Sequence, residues 1–154
     1  MANDPEFDLS KAHRYFAATC FNKTWDLIEK SNRTAADDEQ MVLLTLASMW
    51  HWTQRADCKQ ENLSIGYWQA SRVYAILRRV EEARRYANLC RENSPEETPF
   101  LAAYAHEALA RAESAAGNQA ATQKYLAEAR RLAEKIADAQ DREQLLNDLK
   151  TITS

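Results

Sequence analysis

Glycine and proline are scarce in this chain: Gly66 and Gly117, with Pro5, Pro95 and Pro99, are all that 154 residues contain. Tight β-hairpin turns, glycine-rich phosphate loops and dinucleotide fingerprints need more glycine, so a sheet-rich fold, a P-loop and a Rossmann motif are disfavoured. Cysteine is also sparse. Cys20, Cys58 and Cys90 are odd in number and widely spaced, which fits reduced thiols in a cytoplasmic protein better than a disulfide framework. The longest uncharged run, Gln40 to Gln54, is broken by Thr45, Ser48, His51 and Thr53. It falls short of the roughly 20 apolar residues of a membrane span, and the acidic start Met1 to Asp8 lacks the apolar core of a secretory leader. There is no basic excess either. With 20 Lys+Arg against 23 Asp+Glu the net charge is −3, which argues against a nucleic-acid partner.

Chemical signatures are missing as well. His13, His51 and His106 are far apart, with no HExxH, HxxxH or CxxC spacing and no serine nucleophile elbow. No catalytic residue, metal site or cofactor is therefore expected.

What the chain has in quantity is helix. Length and composition fit a single domain over residues 1–154, with 45% apolar and 28% charged residues. Asp4-Pro5 and Asp8-Leu9 are alternative caps for a first helix running to Lys30, and Thr34 with Asp37 reads as a capping box for a second. A third helix carries Ile65, Trp68, Arg72 and Ile76, and a fourth Val80, Ala83, Ala87 and Cys90. Ser94-Pro95 and Thr98-Pro99 compete as the start of a fifth. Gly117-Asn118 ends it and opens a sixth. An Asp141-x-x-Gln144 box precedes a short last helix, Leu145 to Ile152, expected to cover the exposed apolar edge before it. Between Ala102 and Ala139, 15 of 38 residues are alanine, so helices there form readily and can approach closely. Tyr67, Val73, Tyr74, Leu77, Leu109, Leu126, Leu132 and Ile136 are expected to be buried.

The segment Ser64 to Pro95 resembles a tetratricopeptide repeat, a helix–turn–helix unit of large and small residues at set positions. Tyr67 and Tyr74 take its aromatic positions and Ala70 its leucine position, while Ser71, Ala83 and Cys90 take the small ones, with Pro95 at the end. Arg78 departs from it where the turn is usually glycine, and Ala87 where the second helix usually carries an aromatic. Ala103 to Ala129 aligns through Gly117 and Ala129. The stretches 21–28, His51-Trp52, 71–77 and 104–112 also make the whole chain similar to a functionally uncharacterised family of small bacterial tetratricopeptide-like proteins. These resemblances imply an all-α, right-handed array of three antiparallel helix pairs with a C-terminal capping helix. They also imply a bacterial, cytoplasmic setting and no particular reaction.

In such an array the first helix of each pair lines a concave groove. Ile65, Trp68, Arg72 and Ile76 then face it, with Tyr104, Glu107, Arg111 and Ala115 at the matching places of the fifth helix and Asn22 and Asp26 from the first. The leading expectation is a non-enzymatic module binding a protein or peptide segment through Asn22, Asp26, Trp68, Arg72, Tyr104, Glu107 and Arg111. The same charges are open to a second reading, in which Asp26, Arg72, Glu107 and Arg111 pair with one another between helices. A different function class, a small-molecule sensor or enzyme, would gather His51, Asp26 and Glu107 around a pocket. A homodimer is a third reading. Of Trp50 and Trp52, flanking His51, at least one is expected in the core.

Overall fold

The computed structural model describes residues 6–153. Seven helices follow in order: α1 (Leu9–Glu29), α2 (Ala35–Thr53), α3 (Gln60–Ile76), α4 (Val80–Glu92), α5 (Pro99–Ala115), α6 (Gln119–Ala133) and α7 (Ala139–Lys150). Among the described residues there is no strand, and the protein is all-α. Caps explain most of the boundaries. Asp8 accepts the Lys11 N–H at the head of α1, while the alternative Asp4-Pro5 lies outside the described residues. Thr34 and Asp37 close a reciprocal capping box on α2, and Asn118 accepts the Ala121 N–H on α6.

One start decides between the two expected alternatives, and another differs from expectation. Helix α5 begins at Pro99, because the Ser94 hydroxyl is committed elsewhere: it lies 2.6 Å from Ser64 Oγ and donates to Cys90 O at 2.7 Å, tying the end of α4 to α3. Helix α7 is capped by Asp138, which accepts the Asp141 N–H, so it starts earlier than the Asp141–Gln144 box implied. Its first turn is polar and carries no apolar periodicity to announce it.

Consecutive helices form hairpins. In α1–α2, Ser48 Oγ donates to Ala17 O and the His13 and His51 rings meet. In α3–α4, Ser71 Oγ donates to Ala83 O while Ser64 lies beside Cys90 and Ser94. Residue numbers rise on one helix as they fall on its partner, so both pairs are antiparallel. A short turn at 116–118 joins α5 to α6, where His106 and Tyr125 stack at 6.0 Å. Helices α1, α3, α5 and α7 run side by side in one direction. Phe21 O accepts from Gln69, Trp68 and Arg72 reach Glu107, and Tyr104 and Arg111 reach Asp148 and Thr151.

Small residues set how closely the layers meet. Ala70, Ser71, Ala83, Ala87 and Cys90 are all sealed between α3 and α4 and their neighbours. Tyr74 is buried and lies parallel to the Tyr86 ring, 5.5 Å away. Of the residues expected inside, Val73, Tyr74, Leu109, Leu126, Leu132 and Ile136 are buried. Tyr67 and Leu77 are only partly so. Leu145, Leu149 and Ile152 bury against the last hairpin, as expected of the terminal helix.

Helices α3 and α5 end in the same way. Arg79 N–H reaches back to Tyr74 O and Arg78 N–H to Ala75 O. Asn118 N–H reaches Glu113 O and Gly117 N–H reaches Ser114 O. Both are Schellman caps, which need a left-handed residue just past the helix. Gly117 supplies it at φ +73 without penalty, whereas Arg78 supplies it at φ +55 against its own Cβ. Replacing Arg78 by glycine is expected to stabilise the protein by about 0.5–1 kcal/mol, read as a higher urea midpoint at unchanged m-value.

Candidate functional site

The functional side chains expected from the sequence are positioned by the parallel run of α1, α3, α5 and α7. At its centre is Glu107, on α5 and fully buried. Its Oε2 accepts the Trp68 indole N–H at 2.8 Å. Its Oε1 accepts Arg111 Nε at 2.7 Å, faces Arg111 Nη2 at 2.6 Å and lies 3.7 Å from Arg72 Nη1. Arg111 Nη2 also donates to Thr151 Oγ1 at 2.9 Å and Asp148 O at 3.3 Å, and Tyr104 donates its hydroxyl to Asp148 Oδ2 at 2.7 Å. Two guanidinium groups thus face two carboxylates across three helices, and the cluster is neutral in sum.

Burial governs its electrostatics. The Arg72 side chain keeps 16% of its exposure, and its guanidinium lies 5.3 Å from the Trp25 ring centre and 5.9 Å from that of Trp68. Loss of solvent, and then the nearby Arg111 charge, lower its pKa from the ordinary arginine value. Burial, with the Asp148 carboxylate next, raises that of the Tyr104 hydroxyl, keeping it a proton donor. Arg72, Glu107 and Arg111 therefore pair with one another, and Arg72 is turned inward where the groove reading had it facing solvent. Asp26 does not join them. It is exposed and lines a shallow hollow with Lys23, Leu27, Gln40 and Leu44.

His51 lies elsewhere again. Its Nδ1 is 2.9 Å from His13 Nδ1, and its ring packs on Phe16 and Trp50. Burial, then the neighbouring His13, lower its pKa below the usual histidine range. His51, Asp26 and Glu107 occupy three separate environments, and no hydrogen bond joins any two of them. Neither neighbouring tryptophan is core, contrary to expectation. Trp50 is exposed and Trp52 is half-buried beneath the Arg55 guanidinium, 3.8 Å above its ring. Helix α2 instead buries Met41, Val42, Thr45, Ser48 and Met49, with Thr45 bonded to Gln69 on α3.

Two apolar hollows open beside the cluster. One, of about 190 Å³, lies between α3, α5 and α7 and is lined by Ile65, Trp68, Phe100, Leu101 and Tyr104, with Ser64 and Gln144 at its polar edge. Phe100 and Trp68 both meet the Tyr104 ring edge to face, at 5.0 and 5.3 Å. The other, of about 170 Å³, lies between α1, α2 and α3 and is lined by Ala18, Phe21, Asn22, Trp52, Asn62, Ile65 and Gly66. Ile65, exposed to 39%, stands between the two as a shared ridge. Sequence reading placed Ile65, Trp68, Tyr104 and Asn22 in this region. It missed Phe100, Phe21 and Trp52, whose only signal was aromatic character on the neighbouring turns.

Among the described residues no three His, Cys, Asp or Glu side chains gather as a metal site, and no helix is long and apolar enough to cross a membrane. No protein-family model matches the chain, and no curated protein or solved structure matches it.

Proposed function

We propose that the protein is a non-enzymatic interaction module, a right-handed tetratricopeptide-like array of three antiparallel helix pairs capped by α7. On this reading it binds an apolar peptide or protein segment across α1, α3 and α5. The paired hollows flanking Ile65 carry the proposal: two apolar side chains of one segment fit on either side of a single ridge. Burying each would contribute about 1.5–3 kcal/mol. Trp68 and Tyr104 supply wall area for the first hollow, and Asn22 a hydrogen-bonding edge for the second. The network of Glu107 with Arg72 and Arg111 serves from beneath, fixing the Trp68 indole by its N–H so that the wall is set before a partner arrives. The resemblance to small bacterial proteins of this type supports a cytoplasmic role. The residues of the sensor or enzyme reading are spread apart, with His51 against His13, Asp26 in the hollow beside Leu44 and Glu107 beneath Trp68, which favours the interaction reading.

Selection from a displayed peptide library on the immobilised protein tests this. Sequences with two large apolar residues one helical turn or two strand positions apart are expected to enrich, and to lose at least tenfold in affinity on Ile65→Lys protein of unchanged melting temperature. Failure to enrich any motif, or equal binding by Ile65→Lys, overturns the proposal.

A further inference from the structure

Exposed apolar surface is concentrated at one end of this molecule. Of the eight large apolar side chains exposed among the described residues, six belong to the first hairpin or its lead-in: Phe7, Leu9, Tyr15, Phe16, Leu43 and Trp50. They are not scattered. Leu9, Phe16 and Lys23 recur at seven-residue spacing along one stripe of α1, and Leu43 and Trp50 do the same along α2. The rings of Phe16, His51, Trp50 and His13 meet across the seam between the helices at 4.9–5.4 Å. At the opposite end of the chain α7 covers the last hairpin, with Leu145 and Leu149 buried. Stacked hairpins need a polar or covered outer face at each end, and the first hairpin has neither.

We propose that a second copy of this chain covers that face, in a two-fold dimer built from α1 and α2 of each copy. The face carries a protrusion and a recess. Trp50 and Phe16 project at one end, and the hollow lined by Lys23, Asp26, Leu27, Gln40 and Leu44 lies at the other. Six or seven residues separate Trp50 from Leu44 on α2 and Phe16 from Lys23 on α1, roughly 9–11 Å at the helical rise. A two-fold axis lying in the plane of the interface and crossing both helices near Ala47 and Cys20 exchanges the two ends. Trp50 of each copy then enters the hollow of the other, where its indole N–H meets the Asp26 carboxylate. Small side chains at the axis leave room for that approach.

Charge supports the same occupant. Among the described residues Asp26 has no ion-pair partner within the chain, so its carboxylate is available to accept the Trp50 indole N–H of the other copy. An isologous interface requires each copy to present both halves of every contact, and this patch does so with the Trp50 protrusion and the recess that holds Asp26. Size is sufficient as well. Helix α1 has 21 residues, about 31 Å, and two helices side by side are about 20 Å wide. That gives roughly 600 Å² per copy, at the lower edge of stable interfaces, which bury about 800 Å² per partner. This face is distinct from the ridge at Ile65, so the dimer and the peptide groove stand or fall separately.

Sedimentation equilibrium of the full chain between 1 and 200 µM tests the inference. A reversible monomer–dimer equilibrium is expected, with the mass rising towards twice 17.6 kDa. Trp50→Glu, on the surface, is expected to weaken it at least tenfold at unchanged helical circular dichroism. Asp26→Lys is expected to weaken it as well, since the Trp50 indole N–H of the other copy then loses its acceptor. Ile65→Lys is expected to dimerise as the wild type does. A monomer throughout the range, open-ended growth beyond the dimer, or a dimer indifferent to Trp50→Glu would overturn the proposal.

Discussion

Replacing Glu107 by alanine is expected to cost about 3–5 kcal/mol of folding stability, because it leaves two enclosed guanidinium groups without their shared counter-charge. Arg111 loses two contacts under 3 Å and Arg72 loses its carboxylate neighbour at 3.7 Å. The Trp68 indole N–H loses its acceptor too. Urea denaturation followed by circular dichroism gives the loss, and Trp68 contributes a second signal, a red shift of fluorescence as its ring loosens. Glu107→Gln separates the contributions. An amide keeps an acceptor for the indole but brings no charge, so its loss should fall between those of wild type and alanine. Removing all three charges together, with methionine at 72, 107 and 111, should recover much of the stability lost by alanine alone. If Glu107→Ala is silent, the cluster is solvated and the rigid wall behind the first hollow is not rigid.

The second large effect belongs to Tyr74. Its truncation to alanine is expected to cost about 3–5 kcal/mol, the range for a large aromatic removed from a core. The ring is 7% exposed and lies on Tyr86 at an interplanar angle of 3°. Around it the small residues Ala83 and Ala87 are already in full contact, so they have little freedom to move in and fill the gap. Tyr74→Phe should be nearly neutral, since no hydrogen bond ties the hydroxyl to the described residues. A chemical-denaturation midpoint unchanged by Tyr74→Ala would mean that α3 and α4 pair in a different register from the one seen here.

Much of this architecture is written locally. The capping box at Thr34, the paired Gly117-Asn118 and the departure at Arg78 are each decided by a few neighbouring atoms, and each falls where spacing puts it. The Glu107–Arg111 contact is likewise visible as an i, i+4 pair. What spacing does not contain is the distance between helices. That Trp68 donates to Glu107, 39 residues away, depends on how closely the alanine-rich α5 approaches α3. Once they are that close, the arginines turn inward. Asp26 and Asn22 sit four residues apart on α1, yet one lines the recess of the end face and the other the second hollow, because α2 and α3 divide that side of the helix between them. The His13–His51 contact was also out of reach of pattern reading, for it follows from where the loop between Glu29 and Ala35 sets the hairpin register.

Helix α5 is walled in by α3, α4, α6 and α7, and nine of its seventeen residues are buried. α1 leans mostly on α2. Cooperative opening follows such asymmetry. The first hairpin can swing away while the rest stays whole, but nothing frees α5 short of dismantling the molecule, so its amide protons should be the last to exchange with water.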